Sequence, residues 1–332
     1  MGLTRRGAMA LVGGAAAALA IDGRAGAQQP GRRLGSRDKT MYWAATITPC
    51  NRDGAFDAGA FAAIMQWQKE CGADGVMVLG TSGEFPSFSV SERKMILETA
   101  LKHRNGLNIM TNPGTSNIAE TVDLARHAER SGADGMLVIP PFYFNEPPVE
   151  GLIRYYSALF DAVQIPINLY HIPGLSEVSI SEQLLRSLHH YPHLAGIKDS
   201  SGNVAGFTQF VKNFPDLNMR TGTGSNLELA LDHGMGAILA EGNSFSRKCA
   251  DVFTAYRSNG DWRAAVGRMN ASVRALIQAA GPEAAYSYGP MKYLLSLEMG
   301  GGDWYPRLPY PPLSDERKAA LKAAFERAKS AG

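Results

Sequence analysis

Cysteine is scarce: the 332-residue chain carries 3, an odd number, and Cys50, Cys71 and Cys249 fall beside or within apolar segments. That usage excludes a disulfide scaffold and suits buried free thiols. An excess of one charge is also missing. With 33 Lys plus Arg against 31 Asp plus Glu, scattered rather than clustered, the chain has no basic footprint for nucleic acid, and a small-molecule partner is expected instead. The Ala-rich run at residues 8–21 contains Gly13 and Gly14 and falls short of the roughly 20 residues of a membrane span, so a permanent anchor is not expected. No zinc-ligand spacing, Walker loop or dinucleotide fingerprint stands at a convincing position, and the reading requires neither a metal nor a cofactor. What is present, 45% hydrophobic residues and ample length for a core, describes a globular protein and excludes disorder.

The first residues read separately. Thr4-Arg5-Arg6-Gly7, the apolar run and then Ala25-Gly26-Ala27 resemble a twin-arginine export signal cleaved after Ala27. Removal of residues 1–27 takes away three arginines and one aspartate and leaves 30 groups of each sign, a formally neutral mature chain. The reading predicts a periplasmic protein without membrane attachment; if residues 1–27 are only an Ala-rich leader, the protein is cytoplasmic. Residues 28–41 form a linker.

From residue 44 onward short apolar runs alternate with amphipathic stretches. Candidate strands are residues 44–48, 75–79, 107–111, 135–139, 165–170, 194–198, 218–221 and 237–240, the clearest nearly continuously apolar, as parallel strands covered on both faces should be. Helical patterns lie between them, at 57–70, 91–103, 118–130 and 148–162 among others. The alternation predicts an α/β fold, a (β/α)8 TIM barrel over residues 42–258. Two segments sixty positions apart, Cys71-Gly72-Ala73-Asp74-Gly75 and Ser131-Gly132-Ala133-Asp134-Gly135, set the register: Gly ends a helix, Asp turns the chain and a strand begins. Ser89 with Glu92 and Ser179 with Glu182 have capping-box spacing. Residues 259–332 read as a helical extension, with helices at 262–279, 283–299 and 314–331.

Catalytic groups of such barrels come from the C-terminal ends of strands. Lys198 closes the sixth strand after Leu194-Ala195-Gly196-Ile197, surroundings that desolvate an ammonium and favour the neutral amine. A neutral amine at a barrel mouth can attack a ketone and form a Schiff base, whose protonated nitrogen accepts electrons from a breaking carbon–carbon bond. The plainer reading is a lysine exposed at a strand end or paired with Asp199. Tyr170 ends the neighbouring strand and can carry the proton, relayed through the Thr81 and Tyr143 hydroxyls. Gly80 to Gly83 can present backbone N–H groups, with the Ser82 hydroxyl, to a carboxylate. Each residue alone fits a core aromatic or a simple turn; their convergence on one rim favours a site.

At these residues the sequence resembles the class I aldolases and lyases typified by dihydrodipicolinate synthase and N-acetylneuraminate lyase. The resemblance covers residues 42–325 and rests on Thr48-Pro49, Gly80-Thr81-Ser82-Gly83-Glu84, Tyr170 with Pro173, and Gly196-Ile197-Lys198-Asp199-Ser200-Ser201-Gly202, with 28 residues between Tyr170 and Lys198. It implies Lys198 as the Schiff-base lysine, Tyr170 as proton shuttle, Thr81 and Tyr143 as relay partners, and Thr81 with Ser82 as the carboxylate clamp. It also implies a homo-oligomer, dimer or tetramer, in which the relay tyrosine crosses a dimer interface.

Departures from the family narrow the substrate. Where dihydrodipicolinate synthase proper carries an Arg two residues after its Pro, this chain has Leu175, which cannot grip a carboxylate in bidentate fashion. Gly224 and Ser225 replace the acidic pair of the sialic acid lyase. The turn Gly222-Thr223-Gly224-Ser225-Asn226 is expected to hold the distal end of the substrate, a second carboxylate, hydroxyl or phosphate, through free N–H groups. Ser200, Ile238, Glu241 and Asn243 are further pocket candidates, and His171 stands at a strand end. The cluster His189-His190-Tyr191-Pro192-His193 precedes the sixth strand, on the face away from the mouth, and reads as a solvated loop rather than a metal site. The expectation is therefore a cofactor-independent lyase that joins Lys198 to a pyruvate-type 2-oxo acid and cleaves, condenses or dehydrates a 2-oxo-3-deoxy sugar acid. Dihydrodipicolinate synthase proper, a silent periplasmic binding barrel and a metal-dependent class II aldolase are the competing readings.

Overall fold

The structure, a computed structural model, describes residues 39–331; the export-signal reading and residues 28–38 of the linker lie outside the described residues. Eight parallel strands close into a barrel in chain order: β1 (Tyr42–Ala45), β2 (Gly75–Val78), β3 (Asn108–Thr111), β4 (Gly135–Val138), β5 (Ile167–His171), β6 (Leu194–Asp199), β7 (Asn218–Thr221) and β8 (Ala237–Leu239). Helices follow the strands: α1 (Ala58–Cys71), α2 (Val90–Lys102), α3 (Ile118–Ser131), α4 (Val149–Ala162), α5 (Glu182–Leu188), α6 (Val204–Asn213), α7 (Leu227–Asp232) and α8 (Ser246–Arg257). This is the predicted TIM barrel. Seven of the strands are buried along their whole length, because side chains fill the barrel inside and helices cover it outside.

The repeated Gly-Ala-Asp-Gly segment does the same work twice. Gly72 (φ 97) and Gly132 (φ 84) adopt the left-handed conformation that terminates α1 and α3, which an L side chain resists. Asp74 then accepts the N–H of Tyr42 at 2.8 Å and pairs with Arg257, while Asp134 accepts the N–H of Ile109 at 2.7 Å and pairs with Arg104. Each Asp thus caps the start of the preceding strand. The three cysteines are free and buried.

Several boundaries differ from expectation. β1 begins two residues early and ends at Ala45, because Ile47 gives its N–H to the Asn243 side chain at 3.1 Å instead of to the sheet. Ser181, not Ser179, caps α5, accepting the N–H of Leu184, whereas Ser89 and Glu92 form the expected capping box on α2. The single helix expected at 283–299 is two: a short turn of helix, Glu283–Tyr286, then α10, with an extended Ser287 between. Pro290 explains the break, since it has no N–H for the carbonyl four residues back and its ring would strike that carbonyl. The extension comprises α9 (Trp262–Ala280), α10 (Tyr288–Met299) and α11 (Asp315–Lys329), joined by their own apolar cluster that includes Leu276, Leu294, Leu321 and Phe325. Such fully buried side chains contribute about 1.5–3 kcal/mol each. Among the described residues no helix is long and apolar enough to cross a membrane.

Candidate active site

The register of β5 and β6 sets Tyr170 directly opposite Lys198, and both side chains enter the barrel at its C-terminal end. Lys198 is 5% exposed and Tyr170 2%, so two polar groups that water does not satisfy must meet each other. They do: Nζ of Lys198 lies 3.2 Å from the Tyr170 hydroxyl, and the Thr81 hydroxyl lies 3.3 Å from the same oxygen. Burial pushes the Tyr170 phenol up, but the neighbouring Lys198 charge and the hydrogen bonds with Thr81, Lys198 and Ser200 outweigh it, leaving the phenol below its ordinary value. Asp199 does not neutralise the lysine; its Oδ1 accepts the N–H of Ser201 at 2.7 Å and shapes the following loop.

Above this pair opens a cavity of about 290 Å³. Thr81, Ser82, Ser200 and Gly222 line it with Lys198 and Tyr170, so half of the predicted site converges. Gly222 is required by close approach: a Cβ there would stand 1.9 Å from the Ser200 hydroxyl and 2.7 Å from Cε of Lys198. The 80–83 loop is bracketed by two non-glycine residues in left-handed backbone, Leu79 (φ 57) and Glu84 (φ 54), each costing on the order of 1 kcal/mol. Within it, Gly83 and Glu84 donate to the carbonyls of Gly80 and Thr81, and among the described residues the N–H groups of Thr81 and Ser82 form no hydrogen bond.

The other predicted residues lie elsewhere. Gly80 is buried behind the loop, where its carbonyl serves Gly83. Ile238 is wholly buried in the core. Asn243 is structural: its amide oxygen takes the N–H of Ile47 and its nitrogen gives to the carbonyls of Ala45 and Ala240, which closes the junction of β1 and β8. Tyr143 is 86% exposed with φ 81, its ring edge-on to Phe144, so within one chain the relay from Tyr170 ends at Thr81. Backbone in that left-handed region, with the Phe142 carbonyl held by the Ser116 hydroxyl, turns Tyr143 outward. His171 faces the helical layer, accepting the N–H of Ile180 through Nδ1; burial lowers its pKa against the opposing pull of Asp199.

The anion grip expected at residues 222–226 is already occupied. The N–H of Gly222 goes to the Asp199 carbonyl, that of Thr223 to the Thr221 hydroxyl, and that of Gly224 to Oε1 of Glu241 at 2.9 Å. Ser225 is exposed and donates to Thr223. Nor is the histidine cluster a solvated loop throughout: His193 is 3% exposed and its Nε2 meets the Phe160 carbonyl at 3.1 Å, while His189 pairs with Asp216. Among the described residues no group of His, Cys, Asp or Glu could hold a metal ion.

Sequence reasoning missed what the extension contributes. Tyr286 and Met291 line the cavity. Lys292, wholly buried, lies 2.5 Å from the equally buried Glu84, and Lys292 also donates to the Tyr305 carbonyl while Glu84 accepts the N–H of Arg307. The left-handed end of the 80–83 loop is thereby fixed from the C-terminal helices. A lysine inside the apolar stretch 291–295 was the available signal, since lysine is rarely buried without a partner.

A closed parallel barrel with a buried amine and phenol meeting at its catalytic rim defines a lyase of the class I aldolase type. The chain belongs to the dihydrodipicolinate synthetase family, whose model matches residues 39–328. It is 35% identical over 289 residues to an uncharacterised DapA-like lyase of Chloroflexus aurantiacus, covering 85% of this chain and 95% of that one. It is 32% identical over 289 residues to the 4-hydroxy-tetrahydrodipicolinate synthase of Acidiphilium cryptum, again covering 85% of this chain and 95% of the relative. Among solved structures, YagE, a prophage protein of the dihydrodipicolinic acid synthase family from E. coli K12 in complex with pyruvate, superposes with a TM-score of 0.80 at 27% identity, covering 87% of this chain and 98% of that one.

Replacing Lys292 by Met leaves Glu84 charged and unpaired in the core. Denaturant unfolding should show a loss of about 3–5 kcal/mol, much of it recovered in the Glu84→Gln, Lys292→Met double variant. A single variant as stable as the parent would mean that the pair does not hold the loop.

Proposed function

We propose that Lys198 forms an imine with C2 of a pyruvate-type 2-oxo acid and that the enzyme makes or breaks the adjacent bond of a 2-oxo-3-deoxy sugar acid. The observation that carries this is the 3.2 Å approach of the Lys198 amine to the Tyr170 hydroxyl, both almost wholly buried where they line the cavity. The amine adds to the carbonyl, Tyr170 delivers the proton that lets water leave, and the iminium takes up the electron pair of the bond that breaks. The substrate carboxylate sits against the unpaired N–H groups of Thr81 and Ser82 and their hydroxyls. Thr81 passes protons between Tyr170 and the ligand. A phenol lowered by Lys198 and its hydrogen bonds is better matched to proton transfer near neutral pH than an ordinary one.

Leu175, 64% exposed at the cavity edge, argues for an acceptor other than the semialdehyde of lysine synthesis, because no guanidinium is offered to a second carboxylate. Borohydride reduction in the presence of pyruvate should add the mass of one reduced adduct to the protein and none to Lys198→Ala. Tyr170→Phe should slow turnover by about 100-fold or more and remove the alkaline limb that the phenol imposes on the pH profile. An adduct that survives in Lys198→Ala rules out this assignment.

We also infer self-association. Tyr143 and Phe144 stand exposed together at the rim, an apolar pair that a second copy would cover, bringing the Tyr143 hydroxyl toward a neighbouring site. Sedimentation should therefore show a dimer or larger species, and a Tyr143→Ala, Phe144→Ala variant should shift toward monomer; a parent that sediments only as monomer refutes it.

Export through the twin-arginine route is proposed from Arg5 and Arg6 with the apolar run that follows. Cell fractionation should find the mature chain in the periplasm and the Arg5→Lys, Arg6→Lys precursor in the cytoplasm; identical distributions would count against the route.

A further inference from the structure

The side of the cavity opposite Tyr170 is built from the turns that follow β7 and β8 and from the extension. Tyr286 lines it together with Gly222 and Thr223, and the Tyr286 hydroxyl lies 3.5 Å from Oε1 of Glu241. Glu241 is 3% exposed. Its Oε1 holds the N–H of Gly224, and its Oε2 is buried with no hydrogen-bond partner among the described residues. The far side of the Gly224 peptide is fixed as well, its carbonyl accepting the Asn270 amide of α9 at 3.1 Å. Glu241 thus braces the turn after β7 from behind the cavity wall.

We propose that Tyr286, backed by the buried Glu241 carboxyl, forms the distal subsite of the cavity and selects a substrate whose tail is an uncharged polyol, excluding tails that end in carboxylate or phosphate. This rests on the reading of the pocket as a 2-oxo acid site. Three observations point the same way. Lys198 is the sole cation among the cavity-lining residues, so an anionic tail finds no counter-charge once the lysine is engaged. The backbone N–H groups of residues 222–224 are spent inside the protein. The buried carboxyl of Glu241, 3.5 Å from the Tyr286 hydroxyl, repels an anionic tail when ionised and supplies no counter-charge when protonated; burial pushes it toward the protonated form against the N–H groups of Glu241 and Gly224 and the charge of Lys198. A substrate hydroxyl, which both donates and accepts, can pair with the Tyr286 hydroxyl whichever way that phenol is turned.

Calorimetric titration tests this without relying on imine chemistry. The probes are a six-carbon 2-oxo-3-deoxyaldonic acid ending in CH2OH, its 6-phosphate and the corresponding diacid, titrated into the full-length Lys198→Ala protein. The neutral-tailed acid should bind at least about tenfold more tightly than either anionic-tailed one, the cost of desolvating an unmatched charge. Adding Tyr286→Phe should weaken the neutral-tailed acid about fivefold relative to pyruvate, as expected for one lost hydrogen bond. Adding Glu241→Ala removes the buried carboxyl behind Tyr286 and should shrink the discrimination against the phosphate at least severalfold. Equal affinity for the three acids, no detectable binding of the neutral one, or unchanged ratios in both added variants would overturn the proposal. Tyr286 is half-exposed, so its variant remains informative if the Glu241 variant fails to fold. Failure of the imine assignment itself would appear separately, as absent borohydride adduct in the parent protein.

Discussion

The contact on which the rest of the site depends is the one between the Lys198 amine and the Tyr170 hydroxyl. Both groups are almost wholly buried, and each is placed by a strand whose neighbours allow little adjustment. Tyr170 and Lys198 face each other because β5 and β6 pair in that register; Lys198 in turn opposes Arg220 on β7, which is wholly buried and holds the Asn168 side chain at 2.6 Å below the site. The absence of a side chain at Gly222 leaves room for the lysine stem and for Ser200. A shift of one residue in either strand would turn one of the two groups out of the barrel.

Around that contact the C-terminal extension acts as part of the scaffold. Through Lys292 it secures Glu84 and with it the strained end of the 80–83 loop, and through Tyr286 and Met291 it walls the cavity. A buried ion pair is a poor source of net stability, because desolvation cancels most of the attraction. Its value here is geometric: both partners are wholly buried, Lys292 also donates to the Tyr305 carbonyl, and Glu84 also accepts the Arg307 N–H. The proposed carboxylate clamp is thus held from two directions, by its own strand and by helices that follow the barrel in sequence.

Much of this was legible beforehand, for physical reasons. Parallel strands covered on both faces leave short apolar runs, so eight strands could be counted, and residue type at strand ends singled out Lys198, Tyr170, Thr81 and Ser82, which the cavity brings together, while the roles expected of them come from the family resemblance. Direction was harder to read. β8 ends at Leu239 and passes into a 3-10 turn, Ala240–Asn243, that returns Glu241 and Asn243 to the backbone, so nearness to the rim did not place their side chains on the cavity wall. Tyr143 points outward because of one left-handed backbone angle, which residue type alone does not announce for a tyrosine. The long-range partners were hidden for another reason: Glu84 and Lys292 lie 208 positions apart, and no local pattern joins them.

The most direct measurement of the central claim is a crystal structure of the protein soaked with pyruvate. The account predicts continuous density from Nζ of Lys198 to C2 of the ligand, with the carboxylate against the N–H groups of Thr81 and Ser82 and the Tyr170 hydroxyl beside the new bond. Intact pyruvate lying free of Lys198, or joined to a different amine, would contradict it.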